Sequence, residues 1–261
     1  MINISIITQE DKFFIPKNIK LLMAHDRICL KSIHVISSKG SLENKKIFFL
    51  RSFLFAGAIQ LGFKYVFHNL MEKLDKIFKY RLFNGDKSIQ SLAIYNNIDF
   101  SYIKNPNDIE FIKYLNLKNL DFIVSYSAPS IFKDMLLKVP KYNCINLHCS
   151  LLPYYSGIMP SFWVLYFKEL YTGSSVHLMD SKIDNGNLVL QEKINIKGIK
   201  SIYKLNLLTK KVGGELMLNS ILGIVDQTIV LKPNKVDESK YFTWPNSNEI
   251  KFFIKNGGKI Y

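Results

Sequence analysis

The stretch INLHCSLLP (145–153) places an Asn, a His, a Cys and a Ser within five consecutive positions. Residues two apart on a strand project from the same face, so Asn146 and His148 point together while Cys149 points away from His148. An Asn amide donates to a carbonyl or developing oxyanion, and a His ring titrates near neutral pH. A thiol nucleophile requires a positioned base, so we expect Cys149 to act as a small apolar filler.

A carboxylate would orient and tune such an imidazole. Asp184, within MDSKIDNGN (179–187), lies on a tight loop between two predicted strands and is the favoured supplier, with Asp180 as a second candidate. Taken alone, an Asn and a His at a strand end also fit a structural role, in which each satisfies a neighbouring polar group. The pattern therefore leaves a catalytic trio and a structural pair both open.

Strands alternate with helices through the first 150 residues. Apolar and β-branched runs predict strands at 2–8, 28–37, 99–104, 121–127, 142–148, 173–180 and 187–196. Helices are predicted from Pro16, over 44–83 and 88–97, from an Asn107 or Asp108 cap, over 128–140 with Pro129 in the first turn, over 159–170, and over 201–225 with an interruption at Gly213–Gly214. The rhythm indicates an α/β, doubly wound, mostly parallel sheet, whose ligands bind at the carboxyl ends of the strands.

The C-terminal part of the chain lacks that alternation. After the strand at 187–196 come one long helix and a tail with a short amphipathic helix that stops at a Gly-Gly pair. We therefore expect a catalytic domain over 1–200 and a small C-terminal elaboration over 201–261 that packs on the same unit.

Composition narrows the classes of partner. The 261 residues carry 35 Lys and Arg against 21 Asp and Glu, a formal charge of +14, but the cations are scattered lysines without a dense Arg patch. This pattern favours small anionic ligands over nucleic acid. Three cysteines without CxxC spacing predict neither a disulfide framework nor a metal site, and fit a cytoplasmic protein.

The most apolar stretch, SFLFAGAIQLGF (52–63), lies between Arg51 and Lys64. Its twelve residues are too few for a helix to cross a hydrocarbon core of about 30 Å. We expect a buried helix here and no membrane span. An amphipathic dock on a membrane surface over 48–70 is the alternative.

Several motifs follow one another along the chain: N-x-H-x-SLLP, a Gly at 157, TGSSVH (172–177), D-N-G and LVLQ (188–191). In combination they resemble the N10-formyltetrahydrofolate-dependent formyltransferase family. The resemblance implies a Rossmann-like formyltransferase fold, and Asn146, His148 and Asp184 as the catalytic trio for attack of an amine on the formyl carbon. It also implies N10-formyltetrahydrofolate as co-substrate and no metal ion.

The same resemblance assigns binding residues. The co-substrate is expected at Ser125, Tyr126, Ser127 and Ala128 after one strand and at Met179 and Asp180 after another. Ser150 and Gly157, in the SLLPYYSG segment that wraps the site, are expected to contact the acceptor. His177 matches a family His and is expected to support the site rather than to react.

PSFW (160–163) and the tail resemble sugar N-formyltransferases of surface-polysaccharide pathways, such as O-antigen biosynthesis for lipopolysaccharide. We therefore expect the acceptor to be a nucleotide-linked amino sugar and the assembly to be a homodimer. Methionyl-tRNA, glycinamide ribonucleotide and a hydroxyornithine-type amine are alternative acceptors. The first is disfavoured because the chain ends before the β-barrel domain that such enzymes append. A hydrolytic deformylase and an inactive member acting as a binding protein are further alternatives.

Overall fold

Seven strands form one sheet in the described part of the chain, residues 1–37, 58–237 and 241–261 of this computed structural model. In chain order they are β1 (Ile2–Thr8), β2 (Ile28–Ile36), β3 (Asp99–Ile103), β4 (Phe122–Tyr126), β5 (Asn143–His148), β6 (Tyr171–Leu178) and β7 (Leu188–Asn195). They lie side by side in the order β3-β2-β1-β4-β5-β6-β7. The first five strands are parallel, whereas β6 is antiparallel to β5 and to β7. The predicted doubly wound, mostly parallel sheet is confirmed.

Helices cover both faces of the sheet. Those in the described residues are α1 (Ile15–Met23), α2 (Ala58–Ile77), α3 (Ile89–Tyr95), α4 (Ile109–Asn116), α5 (Asp134–Leu137), α6 (Pro160–Tyr166), α7 (Ile202–Val225) and α8 (Ser247–Lys255). Several of these helices have a side-chain cap at their N-terminus. Asp108 accepts hydrogen bonds from the first-turn N–H groups of α4, and Asn246 accepts hydrogen bonds from those of α8. None of the described helices combines the length and apolarity that crossing a membrane requires.

Two predicted helices differ from the observed ones. The helix expected over 128–140 shrinks to α5, because Ser127 adopts a left-handed φ of 54° and Pro129 disfavours helical backbone in the residue before it. Helix α7 runs unbroken through Gly213 and Gly214. A Cβ at Gly213 would lie 2.6 Å from Leu147, so glycine here allows the helix to approach β5 closely.

The apolar region around α2 is only partly described, since residues 38–57 lie outside the described ranges. The prediction that 52–63 forms a buried helix is wrong for its described end, because Ile59 and Phe63 are 69% and 74% exposed. Helix α2 lies at the periphery, where Glu72 pairs with Lys12 of the loop after β1.

The core continues into the C-terminal residues. Met217 and Ile221 of α7 pack in the same apolar cluster as the side chains of β1, β4 and β5. Phe253 of α8 and Ile260 pack with Phe162 of α6 in another cluster. Residues 201–261 are therefore attached to the first 200 residues through shared apolar clusters.

Candidate active site

A cavity of about 720 Å³ lies at the carboxyl ends of β4 and β5, beside the point where the strand order reverses at β1. This is where open α/β sheets bind their ligands. Asn146 and His148 at the end of β5 line it, together with Asp184 from the loop between β6 and β7. The fold therefore brings all three predicted catalytic residues to one cavity.

The antiparallel pairing of β5 with β6 places Asn146 directly opposite His177. The Asn146 Nδ2 and His177 Nε2 atoms are 3.1 Å apart. On the other edge of the ring, His177 Nδ1 lies 2.8 Å from the carbonyl oxygen of Leu178, which can only accept, so Nδ1 carries the proton. His177 Nε2 lies close to both the Asn146 amide and the Asp184 carboxylate: without a proton it accepts from the amide nitrogen, and with a proton it donates to the carboxylate.

The Asp184 carboxylate joins the two histidines. Its Oδ2 is 3.4 Å from His148 Nδ1, and its Oδ1 is 3.6 Å from His177 Nε2. Oδ2 also accepts a 2.8 Å hydrogen bond from the backbone N–H of Gly157. Asp184 itself has a left-handed φ of 51°, and Asn234 Nδ2 donates to its carbonyl oxygen at 2.7 Å. The carboxylate is thus held from several directions.

Opposing effects set the charge state of Asp184. Burial alone would raise the pKa of its carboxyl, but the charge of His148, the hydrogen bond and charge of His177 and the Gly157 N–H together lower that pKa to about 2. Asp184 is therefore ionised at neutral pH. The opposite ring nitrogen of His148, Nε2, lies 2.8 Å from the Tyr155 carbonyl oxygen and so must carry a proton.

The segment from Ser150 to Gly157 wraps the end of β5 and is held by buried hydrogen bonds. Ser150 Oγ donates to the carbonyl oxygen of Tyr154 at 2.7 Å, and Ser175 Oγ of β6 donates to the carbonyl oxygen of Ser150 at 2.6 Å. Ser150 is fully buried and does not line the cavity, so its side chain supports this segment where the sequence predicted an acceptor contact. Gly157 does line the cavity.

Five of the six side chains predicted to bind the co-substrate line the cavity: Ser125, Ser127, Ala128, Met179 and Asp180. Tyr126 does not, because strand alternation turns it to the opposite face, where it is 2% exposed and packs with β1 and α1 residues. Cys149 also borders the cavity, but burial raises the pKa of its thiol, which keeps the thiol protonated and inert.

Other residues that line the cavity were given no role by the sequence. Asn206 and Lys210 reach the cavity from α7, and Tyr241 and Trp244 from the tail. Gln9 enters from the loop after β1. Gln9, Asn206 and Lys210 belong to no recognisable motif, and the resemblance of the tail to sugar N-formyltransferases assigned no role to Tyr241 or Trp244. Within the described ranges, no group of three or more His, Cys, Asp or Glu side chains is arranged to hold a metal ion.

The family model for formyl transferases matches residues 91–221, half of the chain. The chain belongs to the formyl transferase family. Its curated relatives include the methionyl-tRNA formyltransferase of Clostridium tetani, 33% identical over 154 residues that cover 59% of this chain and 50% of the relative. They also include the bifunctional polymyxin resistance protein ArnA of Wigglesworthia glossinidia brevipalpis, 36% identical over 56% of this chain and 22% of ArnA. The chain spans about half the length of the methionyl-tRNA formyltransferases it matches.

Solved structures of the formyl transferase family share the fold at low identity. The sugar N-formyltransferase from a Shewanella species superposes with a TM-score of 0.57 at 15% identity, covering 97% of this chain and 87% of that chain. The Helicobacter canadensis N-formyltransferase, in complex with folinic acid and dTDP-3-aminofucose, gives 0.59 at 19% identity, covering 100% and 84%. These likenesses establish the formyltransferase fold over nearly the whole chain.

Proposed function

We propose that this protein transfers the formyl group of N10-formyltetrahydrofolate to a primary amine, with Asn146, His148 and Asp184 as its catalytic residues. The observation that carries the proposal is their convergence at one cavity, with an ionised Asp184 3.4 Å from His148 and the Asn146 amide 3.1 Å from His177. A catalytically inactive binding protein would have no need of such an arrangement.

Asn146 and His148 serve different steps of the proposed reaction. As the amine nitrogen attacks the formyl carbon, the carbon–oxygen π electrons move to oxygen, and Asn146 donates a hydrogen bond to that oxygen. The attacking nitrogen must lose a proton, and the departing folate nitrogen must gain one. With Nε2 protonated on the Tyr155 carbonyl oxygen, His148 Nδ1 takes up the proton of the amine through water and releases it to the folate nitrogen, and the Asp184 carboxylate 3.4 Å away stabilises the imidazolium formed in between.

Asp184 acts by orientation and charge in this proposal. A carboxyl with a pKa of about 2 is a poor proton acceptor near pH 7, so we assign it the task of holding the His148 ring through Nδ1. The Gly157 N–H at 2.8 Å fixes the carboxylate in turn.

The cavity suits the co-substrate. The chain segment after β4 supplies Ser127 and Ala128 along with Ile131 and Phe132, and the residues after β6 supply Met179. An apolar slot that also contains a few polar side chains, such as Ser127, matches a flat pteridine ring. That the Helicobacter canadensis N-formyltransferase was solved in complex with folinic acid supports a folate as the co-substrate of this chain.

For the acceptor we propose a nucleotide-linked amino sugar. The support is the similarity over 97% and 100% of this chain to structures described as a sugar N-formyltransferase and as a complex with dTDP-3-aminofucose. Methionyl-tRNA is the second candidate, because relatives 33% identical in sequence are methionyl-tRNA formyltransferases.

The test is incubation with N10-formyltetrahydrofolate and a panel of nucleotide-linked amino sugars, with methionyl-tRNA in parallel, followed by mass spectrometry for a formyl gain. His148→Ala and Asp184→Ala should abolish transfer, whereas His25→Ala, a histidine outside the cavity, should leave it unchanged. Near-normal turnover in either of these two variants would refute the roles assigned to His148 and Asp184. Formylation of methionyl-tRNA alone would select the second candidate.

A further inference from the structure

Helix α2 turns its large apolar side chains away from the protein. Six of them, spaced so that they follow one side of the helix, form what we call the α2 stripe: Ile59, Phe63, Val66, Phe67, Leu70 and Ile77. Each is between 52% and 74% exposed. Together they present roughly 600 Å² of apolar surface, which is about the largest patch that a monomeric protein usually exposes. Patches of this size mark binding surfaces.

The polar side chains of α2 face the body of the protein instead. Lys64 hydrogen-bonds to the Tyr203 hydroxyl, and its Nζ lies 4.4 Å from the centre of the Tyr203 ring. Glu72 pairs with Lys12 of the loop after β1, and Asp75 is fully buried. A surface helix normally buries its apolar side and exposes its polar side. Because α2 does the reverse, its outer side fits an apolar partner that lies outside the described chain.

Exposed cations border the stripe towards its C-terminal end. They are Lys73, Lys76, Lys79 and Arg81. Lys73 comes three residues after Leu70 and four before Ile77, which puts it beside the stripe. Within the described ranges, none of the four cations takes part in a salt bridge. The stripe therefore has a positive edge without a carboxylate to neutralise it.

This charge pattern distinguishes a lipid surface from a second copy of the chain. The carboxylates of α2 are Glu72 and Asp75, and both are turned inward. Two copies of the helix packed stripe to stripe would therefore bring cations to the interface without opposite charges from α2. An anionic bilayer accommodates both features, because acyl chains surround the apolar side chains and lipid phosphates attract the lysines. The formal charge of +14 on the whole chain adds attraction of the same sign.

We propose that the α2 stripe and its bordering cations dock this protein on the surface of an anionic phospholipid membrane. Helix α2 lies in the plane of the membrane, with the stripe at the boundary between headgroups and acyl chains. The docking places the protein on the bilayer without a spanning segment. This inference goes beyond the proposed formyl transfer and does not depend on it.

Co-sedimentation of the full chain with vesicles tests the proposal. Wild type should bind vesicles of phosphatidylcholine and phosphatidylglycerol, should bind phosphatidylcholine alone much more weakly, and should be released as salt screens the charges. The double variant Phe63→Ser/Phe67→Ser should weaken binding about 10-fold or more, since two aromatic side chains no longer enter the lipid. Lys73→Gln/Lys76→Gln should weaken binding to the anionic vesicles by about 10-fold or more.

The chain offers a matched control for each double variant. Leu117→Ser/Val230→Ser removes two strongly exposed apolar side chains that lie outside α2. Lys251→Gln/Lys255→Gln removes two exposed lysines four residues apart on α8. Both controls should bind the anionic vesicles as wild type does. A loss of binding in the controls equal to that in the α2 variants would overturn the proposal, as would failure of wild type to bind these vesicles at low salt.

A tryptophan at the stripe reports insertion itself. In Phe67→Trp the fluorescence emission should shift to the blue when anionic vesicles are added, because the indole leaves water for the headgroup and acyl boundary. Leu117→Trp should show no such shift. An equal response of the two proteins, or no response of Phe67→Trp, would contradict docking through α2.

Measurements without lipid separate the other possible occupants of the stripe. Wild type and Phe63→Ser/Phe67→Ser should have the same denaturation midpoint and the same sedimentation coefficient. A lower midpoint in the variant would show that residues of this chain cover the stripe, and a smaller sedimenting species would show that a second copy does; either result overturns the proposal. Because vesicle binding requires no turnover, its outcome is independent of whether the proposed formyl transfer is confirmed.

Discussion

Replacing Asp184 with asparagine tests the electrostatics of the candidate site with little change in shape. The introduced amide has the size of the carboxylate and keeps an oxygen for the Gly157 N–H, now 2.8 Å from Asp184 Oδ2. What disappears is the negative charge that lies 3.4 Å from His148 and 3.6 Å from His177. We expect a folded protein whose turnover falls about 100-fold or more.

The effect on stability follows from the pKa of the carboxyl. Folding lowers it from 3.8 to about 2, and about 1.4 kcal/mol for each pH unit gives roughly 2 kcal/mol of stabilisation at neutral pH. Because the folded pKa is the lower one, this contribution is complete above the unfolded value of 3.8 and is lost as the pH falls towards 2. The variant lacks it at every pH.

Denaturant unfolding of wild type and Asp184→Asn measures this loss of stabilisation directly. The series runs from pH 7 down to about pH 2.5, or as low as the fold persists, because the carboxyl titrates in that range. The difference in unfolding free energy should be largest at neutral pH and should shrink below about pH 4. Asp226→Asn is the control, because it breaks an exposed pair with Arg27 and should change stability little. Equal stability of the two proteins at pH 7, or a difference that does not depend on pH, would refute the reasoning.

Three further predictions concern residues around the cavity. Cys149→Ala should retain turnover, and the native thiol should react slowly with iodoacetamide, because burial raises the pKa of that thiol. Gly157→Ala should lower the unfolding free energy by about 3 kcal/mol or more, since φ is 106° and a Cβ would lie 2.3 Å from the Phe242 carbonyl oxygen. Gly198→Ala is the control: its φ is 83° but the space around it is open, so it should cost only about 1 kcal/mol. Ser175→Ala should lower the unfolding free energy by about 1–3 kcal/mol, because its buried hydroxyl serves several polar partners; an unchanged denaturation midpoint would show that those bonds contribute little.

Strand alternation was enough to predict part of the site. It placed Asn146 and His148 on one side of β5, and it turned Cys149 towards α7, where the thiol lies against Thr209. The partnership with Asp184 could be expected only from the family pattern, because 36 positions separate it from His148 and no local rule fixes the loop. Asp adopts the left-handed backbone seen at Asp184 more readily than most residues do, but residue type alone does not say which Asp of the chain adopts it.

The remaining differences between the predicted and the observed lining of the cavity have a common physical origin. Whether Tyr126 or Ser125 faces the cavity depends on which face of β4 meets α1, and that is decided by tertiary packing. The same holds for Ser150, which is drawn inward by Ser175 of the neighbouring antiparallel strand. Lys210 and Tyr241 are missing from the sequence prediction because their approach to β5 is set by the docking of α7 and the tail.

Backbone hydrogen bonds connect the C-terminal tail to the candidate active site. Phe242 N donates to the Ser156 carbonyl oxygen at 3.0 Å, and Ile158 N donates to the Phe242 carbonyl oxygen at 2.8 Å, so the tail forms a short bridge on either side of Gly157. That bridge sets the position of the Gly157 N–H, which donates to Asp184, which in turn faces His148. A division of the chain at residue 200 would therefore cut the support of the carboxylate. We accordingly propose that 1–200 and 201–261 act as one catalytic unit, in which displacement of the tail alters the orientation of His148 by way of the Gly157 N–H and the Asp184 carboxylate.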